Sequence, residues 1–216
     1  MKLKICGMKY QDNIQAVAAL QPDYLGFIFY ETSARYFNSA IPNISKTIKK
    51  TGVFVNETLD VVHEKIKTYN LQAVQLHGEE LPEYCERLRD TILSGGVEII
   101  KVFSIKDDFK FDQLEPYETV CDFFLFDTKG KLPGGNGYTF NWDVLNKYPS
   151  TKPYFLSGGI GLEETEKLKS FYKSPASKYC YAIDVNSKFE IEPGLKDTEQ
   201  LKQFINRIRK LNSSRH

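Results

Sequence analysis

The chain has 216 residues, of which 41% are apolar and 26% charged, so it is long enough to bury a core without a disulfide or a metal. Lys and Arg number 29 against 28 for Asp and Glu, which argues against a nucleic-acid-binding protein, since such proteins carry a basic excess. No stretch resembles a membrane span and the first residues contain no apolar segment typical of a secretory signal, so we expect a cytoplasmic protein.

Short apolar, β-branched or aromatic runs recur along the whole chain and predict β-strands. Several are apolar at consecutive positions, as expected of strands that are buried on both faces. The runs cover residues 3–6, 24–29, 52–55, 73–76, 98–103, 122–126, 153–156 and 181–185.

Helical patterns lie between these runs. They cover residues 12–20, 58–69, 162–171 and 197–211, and residues 107–119 give the weakest pattern. Alternating strands and helices indicate a parallel sheet with crossover helices.

Eight such units in a chain of this length predict one (β/α)₈ TIM barrel over residues 1–216, with a short polar tail at about 212–216. A doubly wound open sheet is the alternative. Its first strand–helix turn often carries several glycines, whereas Gly7 stands alone here.

In a barrel of this kind the functional residues lie at the C-terminal ends of the strands. Those positions hold a thiol, carboxyl groups, an arginine and two turns of small residues, which the fold would bring together on one rim. The candidates are Cys6, Arg35, His77, Asp127, Gly158, Gly159, Asp184, Asn186 and Ser187.

Cys6 and Asp127 are candidates for a base and an acid. A thiol that acts as a base needs a lowered pKa, and Lys4 offers a positive charge two residues earlier on the same strand face. A carboxylic acid that donates a proton needs a raised pKa, for which the phenylalanines within residues 123–126 offer an apolar environment. The alternatives are a packed core thiol and a loop or helix-capping aspartate.

The segment SGGIG (157–161) directly precedes a predicted helix, where backbone N–H groups and the helix N-terminus favour an anion. Phosphate sites after strands seven and eight are frequent in this fold. We therefore predict that this turn binds phosphate.

The sequence allows two interpretations of each of three further features. Arg35 could bind a carboxylate through two hydrogen bonds or lie on the surface, and His77 could contact a ligand or a backbone carbonyl. The glycine-rich segment 128–140 is either an exposed loop or a lid that closes over substrate; we favour the lid because it adjoins Asp127. The four cysteines and three histidines show no zinc-site spacing.

The ordered motifs resemble those of the N-(5'-phosphoribosyl)anthranilate isomerase family of tryptophan biosynthesis. Each motif alone is unspecific, whereas the ordered set, spanning about residues 2–200, is specific. The motifs are KICGM (4–8), GFIF (26–29), SAR (33–35), GVFVN (52–56), VQLHG (74–78), FD (126–127), GGNG (134–137), SGGI (157–160), DVNS (184–187) and GLKD (194–197).

The resemblance implies an Amadori rearrangement without cofactor or metal. The substrate would be N-(5-phospho-β-D-ribosyl)anthranilate, and the product 1-(2-carboxyphenylamino)-1-deoxy-D-ribulose 5-phosphate. Asp127 would be the general acid that protonates the furanose ring oxygen, and Cys6 the general base that removes the C2' proton.

The resemblance also implies the binding contacts. Arg35 would bind the anthranilate carboxylate, and Asp184 would lie beside the sugar. Backbone N–H groups of Gly159, Asn186 and Ser187 would bind the phosphate. The expected partner is a small phosphosugar, with no nucleic acid and no membrane, and the chain would be a monomer or a homodimer.

The chain departs from the family pattern at three positions. Asn136 stands where the family usually has Thr, and Asn186 and Lys188 stand where it usually has Ser and Gly. These positions bear on loop motion and phosphate affinity, and Lys188 adds a charge. Two alternative functions are a Schiff-base aldolase that uses Lys101 and a phosphosugar-binding barrel without catalysis.

Overall fold

The computed structural model describes residues 1–92, 96–105, 109–128 and 141–213. Eight parallel strands within these ranges close into a barrel, each paired with the next along the chain and the last with the first. The strands are β1 (Lys2–Ile5), β2 (Tyr24–Ile28), β3 (Lys49–Phe54), β4 (Ala73–Leu76), β5 (Glu98–Ile105), β6 (Phe123–Thr128), β7 (Tyr154–Leu156) and β8 (Cys180–Val185). The predicted barrel is confirmed, and each of the predicted runs overlaps one of these strands.

Helices connect the strands along the outside of the barrel. The α-helices of the described ranges are α1 (Gln11–Ala19), α2 (Leu59–Tyr69), α3 (Pro82–Ile92), α4 (Thr165–Lys173) and α5 (Thr198–Ser213). Four of them match the predicted helical segments, and α3 is an addition to the prediction. Helix α5 continues through Ser213, and residues 214–216 of the expected tail lie outside the described residues.

Three connections contain no α-helix among the described residues: residues 29–48 between β2 and β3 contain no helix, and the other two contain a 3₁₀ helix. Within the weakly helical segment 107–119, a 3₁₀ helix covers Phe111–Tyr117 and contains Pro116, which lacks the N–H that an α-helix interior requires. A second 3₁₀ helix, Trp142–Lys147, connects β6 to β7. None of the helices in the described ranges is long and apolar enough to cross a membrane.

Side chains alternate between two apolar layers along each strand, because successive residues of a strand point to opposite faces. The larger layer packs between the strands and the surrounding helices. The smaller layer fills the interior of the barrel, and includes Ala73, Leu125, Phe155 and Ala182. The interior residues that follow them toward the strand ends are polar, so the alternation itself directs polar side chains into the mouth of the barrel.

A small antiparallel hairpin follows β8 and was not predicted. It consists of β9 (Glu190–Glu192) and β10 (Leu195–Lys196) and is separate from the barrel sheet. Asn13 of α1 anchors it through reciprocal hydrogen bonds of 2.8 Å with the backbone N–H and C=O of Lys196. The hairpin therefore has a fixed position beside the end of β1.

Candidate active site

A cavity of about 390 Å³ lies at the C-terminal ends of the barrel strands. Every site residue predicted from the sequence contributes to its wall. These residues are Cys6, Arg35, His77, Asp127, Gly158, Gly159, Asp184, Asn186 and Ser187. The structure thus brings together groups that are distributed over almost the whole chain.

Cys6 follows β1 directly and is almost completely buried at the cavity wall. Gly26 of β2 leaves room for the thiol, since a Cβ atom there would come within 2.8 Å of Sγ. Burial raises the pKa of the Cys6 thiol, because a thiolate loses solvation there, and this effect outweighs the nearby charge of Lys4. Lys4 acts in the expected direction, but the lowered pKa that a basic thiol needs is not found in the free protein.

A buried ion pair lies beside the thiol. Lys4 donates from Nζ to Oδ1 of Asp184 over 2.9 Å, and both side chains are buried. The register of β1 and β8 places these two residues directly opposite each other. Burial raises the pKa of Asp184, although the charge of Lys4 opposes that shift.

Asp127 lies next to His77 on the other side of the cavity. Its Oδ2 is 3.6 Å from Nε2 of His77, and its Oδ1 accepts a hydrogen bond of 2.9 Å from the backbone N–H of Thr128. The ring nitrogen Nδ1 of His77 is 3.1 Å from Nε2 of Gln75. The ring is thus oriented by a side-chain amide, not by a backbone carbonyl, and the sequence pattern gave no sign of Gln75.

The apolar environment expected around Asp127 is largely on the wrong side of its strand. Phe124 and Phe126 belong to the outer apolar layer, whereas Asp127 faces the cavity. Phe123 does face the barrel interior, but four residues from Asp127 toward the other end of β6. Successive side chains of a strand point to opposite faces, so residues that are neighbours in the sequence lie in different environments. The composition of residues 123–126 alone does not predict the environment of Asp127.

Arg35 lines the cavity and is held from behind by Glu190 of the hairpin. Nε of Arg35 lies 2.9 and 3.0 Å from the two carboxylate oxygens, and Nη2 lies 2.6 Å from Oε2. Lys196, which is fully buried, donates from Nζ to Oε1 of Glu190 over 2.7 Å. The sequence pattern assigned no role to either hairpin residue, because the three residues are far apart along the chain.

The turn after β7 has the backbone conformation that only glycine adopts readily. Gly158 and Gly159 have φ angles of +92° and +67°. A Cβ atom at Gly158 would overlap Thr128 and come within 2.7 Å of its backbone nitrogen. The turn leads into a 3₁₀ helix, Leu162–Glu164, and then into α4.

Two of the predicted features lie away from the cavity or outside the described residues. Lys101 points to the outer face of β5, where its Nζ is 2.9 Å from Oε2 of Glu80 and 2.7 Å from the carbonyl oxygen of Gly78. It does not line the cavity, so the site offers no lysine for the Schiff-base alternative at that position. Residues 129–140, which hold most of the proposed lid, lie outside the described residues.

Comparison with known proteins gives one consistent result. Residues 3–207 match the model of the N-(5'-phosphoribosyl)anthranilate (PRA) isomerase family. A relative from Parabacteroides distasonis, an N-(5'-phosphoribosyl)anthranilate isomerase, is 42% identical and covers 96% of this chain and 93% of its own. The chain belongs to the N-(5'-phosphoribosyl)anthranilate isomerase family.

Solved structures of phosphoribosyl anthranilate isomerases have the same fold. That from Thermotoga maritima has a TM-score of 0.80 and 27% identity, covering 97% of this chain and 99% of that one. Another, solved with reduced 1-(o-carboxyphenylamino)-1-deoxyribulose 5-phosphate, has a TM-score of 0.77 and 25% identity, with the same coverage. The family resemblance predicted from the ordered motifs is confirmed.

The described departures from the family pattern lie at one side of the cavity. Oδ1 of Asn186 accepts a hydrogen bond of 2.6 Å from Nζ of Lys196. Lys188 lines the cavity, and its Nζ is 3.0 Å from Oε1 of Glu163 at the start of the helix that follows the glycine turn. Asn186 therefore places a longer polar side chain than serine, and Lys188 a charged one, beside the turn predicted to bind phosphate, whereas Asn136 lies outside the described residues.

Proposed function

We propose that this protein converts N-(5-phospho-β-D-ribosyl)anthranilate into 1-(2-carboxyphenylamino)-1-deoxy-D-ribulose 5-phosphate, a step of tryptophan biosynthesis, in the cytoplasm. Family membership supports this activity. The structural observation that carries it is the convergence of Cys6 and Asp127 on one cavity whose wall also includes Arg35 and the glycine turn. The related structure bound to a reduced analogue of this product supports the same substrate class.

The reaction moves a proton between two carbon-bound positions and needs an acid and a base. In the proposed mechanism Asp127 protonates the ring oxygen of the furanose, and the ring opens to a protonated imine. Cys6 then removes the proton from C2', and the imine accepts the electron pair to give an enolamine. The enolamine tautomerises to the ketone of the product.

The raised pKa of Cys6 has two opposite consequences for this mechanism. It lowers the fraction of thiolate in the free protein, but it also makes each thiolate a stronger base toward the C2' proton. A positively charged imine beside the thiol would favour the thiolate. We therefore propose that the base forms mainly in the complex with the ring-opened substrate.

The two ends of the substrate have different recognition chemistry. Arg35 is proposed to bind the ring carboxylate, since a guanidinium can donate two parallel hydrogen bonds to it. The N–H groups of the Gly158–Gly159 turn and of the Asn186–Ser187 turn are proposed to bind the phosphate, as peptide N–H groups near a helix start commonly do. Asp184 and His77 lie between these ends, at the sugar.

The test is turnover of the anthranilate phosphoriboside by purified protein, followed by the change in substrate fluorescence. Cys6→Ala and Asp127→Asn are each expected to lower kcat by about 10²-fold or more. Cys85→Ala and Asp122→Asn are matched controls, because Cys85 is packed in α3 and Asp122 pairs with Arg89 away from the cavity. They should retain wild-type turnover.

Two results would contradict the proposal. Wild-type turnover in Asp127→Asn would remove that residue as the acid. Tight binding of the substrate by the wild type without exchange of the C2' proton with solvent would favour a phosphosugar-binding barrel without catalysis.

We propose a small phosphosugar as the physiological partner, with no nucleic acid or membrane. We also propose a monomeric or homodimeric state, and light scattering distinguishes the two.

A further inference from the structure

Glu190 occupies one edge of the Arg35 guanidinium. It accepts from Nε and Nη2, which together form the side-on edge of the group. Glu190 is 5% exposed and does not line the cavity, whereas Arg35 does. The other edge, formed by Nη1 and the second N–H of Nη2, is thus left for the cavity side, and Nη1 has no hydrogen-bond partner among the described residues.

An arginine neutralised by a buried carboxylate would attract a second carboxylate poorly. Arg35 and Glu190 alone form a neutral pair, and the structure adds a further cation. Lys196 contacts the same carboxylate at 2.7 Å, with its Nζ in a position that is fully buried. The three side chains therefore carry one net positive charge, and only Arg35 presents that charge to the cavity.

The hairpin places the three charges with little freedom. Nζ of Lys196 also donates a hydrogen bond of 2.6 Å to Oδ1 of Asn186. The backbone N–H of Lys196 donates to the side chain of Asn13. Oε1 of Glu190 additionally accepts a hydrogen bond of 3.1 Å from the backbone N–H of Gly194. The carboxylate is thus fixed from the hairpin side, and it holds the guanidinium in a fixed orientation.

We propose that Lys196 is a specificity-determining positioning residue, which neutralises Glu190 and so keeps the positive charge of Arg35 available for a carboxylate on the aromatic ring of the substrate. The inference rests on the proposed function and deepens it. Lys196 does not touch the substrate; it acts through Glu190 and Arg35. The class of substrate that it selects is an N-aryl aminosugar phosphate whose aryl group bears an ortho carboxylate.

The test compares two substrates in each variant: the anthranilate phosphoriboside and the aniline analogue that lacks the ring carboxylate. In Lys196→Met the KM for the anthranilate substrate is expected to rise about tenfold or more, as for the loss of a charge-assisted hydrogen bond. The KM for the aniline analogue should rise much less, whereas kcat should fall alike for both substrates, because the charge of Lys196 also favours the Cys6 thiolate. Glu190 keeps Arg35 and the N–H of Gly194 as partners, so this variant is expected to fold.

A second variant separates a charge effect from a packing defect. Lys196→Met with Glu190→Gln restores one net positive charge on Arg35, so the KM for the anthranilate substrate should return toward the wild-type value. A merely structural role of Lys196 would make the double variant no better than the single one. Lys49→Met is the matched control, because Lys49 pairs with Glu98 at the opposite end of the barrel.

The outcomes discriminate clearly. The KM for the anthranilate substrate divided by the KM for the aniline analogue should change in Lys196→Met. If this ratio were the same in the variant as in the wild type, the proposed role of Lys196 would be overturned. A double variant that folds, as judged by circular dichroism, but shows no recovery would also overturn it. A wild-type protein that does not convert the anthranilate substrate would instead refute the proposed function itself.

Discussion

Removing either partner of the buried Lys101–Glu80 pair is expected to destabilise the barrel strongly. Nζ of Lys101 and Oε2 of Glu80 are 2.9 Å apart, and the two side chains are 3% and 1% exposed. The carboxylate also accepts hydrogen bonds from the backbone N–H groups of Asn56, at 2.8 Å, and Gly78, at 3.0 Å. The pair thus joins the C-terminal ends of β3 and β4 to the middle of β5.

The two substitutions should differ in magnitude because the partners have different additional contacts. Breaking a buried pair from one side costs about 3–5 kcal/mol. Lys101→Met leaves Glu80 with its two backbone donors, so we expect about 3 kcal/mol. Glu80→Leu also leaves two backbone N–H groups without an acceptor, at about 1–3 kcal/mol each, so we expect about 5 kcal/mol or more.

The double variant Lys101→Met with Glu80→Leu contains no unpaired buried charge. Its loss of stability should therefore be smaller than the sum of the single losses by about 2 kcal/mol or more. Urea unfolding followed by circular dichroism measures these differences through the transition midpoint at constant slope. Lys65→Met, which removes a pair at the surface of α2, is the control and should leave the midpoint unchanged.

A single variant with the midpoint of the wild type would refute the importance of the pair for stability. Additive losses would refute it as well, since additivity would mean that the two side chains do not interact. Because Lys101 lies on the outer face of β5, Lys101→Met should keep the affinity for substrate while it loses stability.

Three further predictions concern the cavity wall. The rate at which iodoacetamide alkylates Cys6, measured by mass spectrometry of its peptide, should still increase above pH 9. Burial raises the pKa of the thiol, and only the thiolate reacts. A rate that reaches a plateau by pH 8 would contradict this prediction. Gly158→Ala should lower Tm and weaken inhibition by phosphate, since its Cβ would overlap Thr128. Gly96→Ala is the control, because Gly96 also has a positive φ but no neighbour within 4 Å of the added Cβ. The control should lower Tm less and leave phosphate inhibition unchanged. Lys188→Gly should raise the inhibition constant of phosphate several-fold, because a cation is removed beside the predicted phosphate turn; an unchanged constant would refute a role for this side chain.

Local sequence patterns were sufficient for the order of the strands and for most helices. An apolar run such as residues 123–126 is buried on both faces in the barrel, as consecutive apolar positions predict. The segment around Pro116 was weakly helical by pattern and forms a 3₁₀ helix. The hairpin at 190–196 was missed because its strands are two and three residues long and carry charged side chains.

The site was predictable as a set of residue types at strand ends, but not as a set of contacts. The positions of Cys6 and Asp127 follow from strand order and alternation. Their environments do not: the burial that raises the pKa of Cys6 and the outward direction of Phe126 depend on which face of each strand is turned inward. The direction of a pKa shift is a property of the packed environment, not of neighbours in sequence.

The sequence by itself determined the barrel and the residues that meet at its mouth, because strand periodicity and strand order are local properties of the chain, and its ordered motifs indicated the family. Only the tertiary structure decided how those residues are charged and oriented. Arg35 and Glu190 are 155 residues apart along the chain and become partners only when β8 pairs with β1 and the hairpin packs against α1. Contacts of this kind depend on closure of the whole barrel, and no local pattern encodes them.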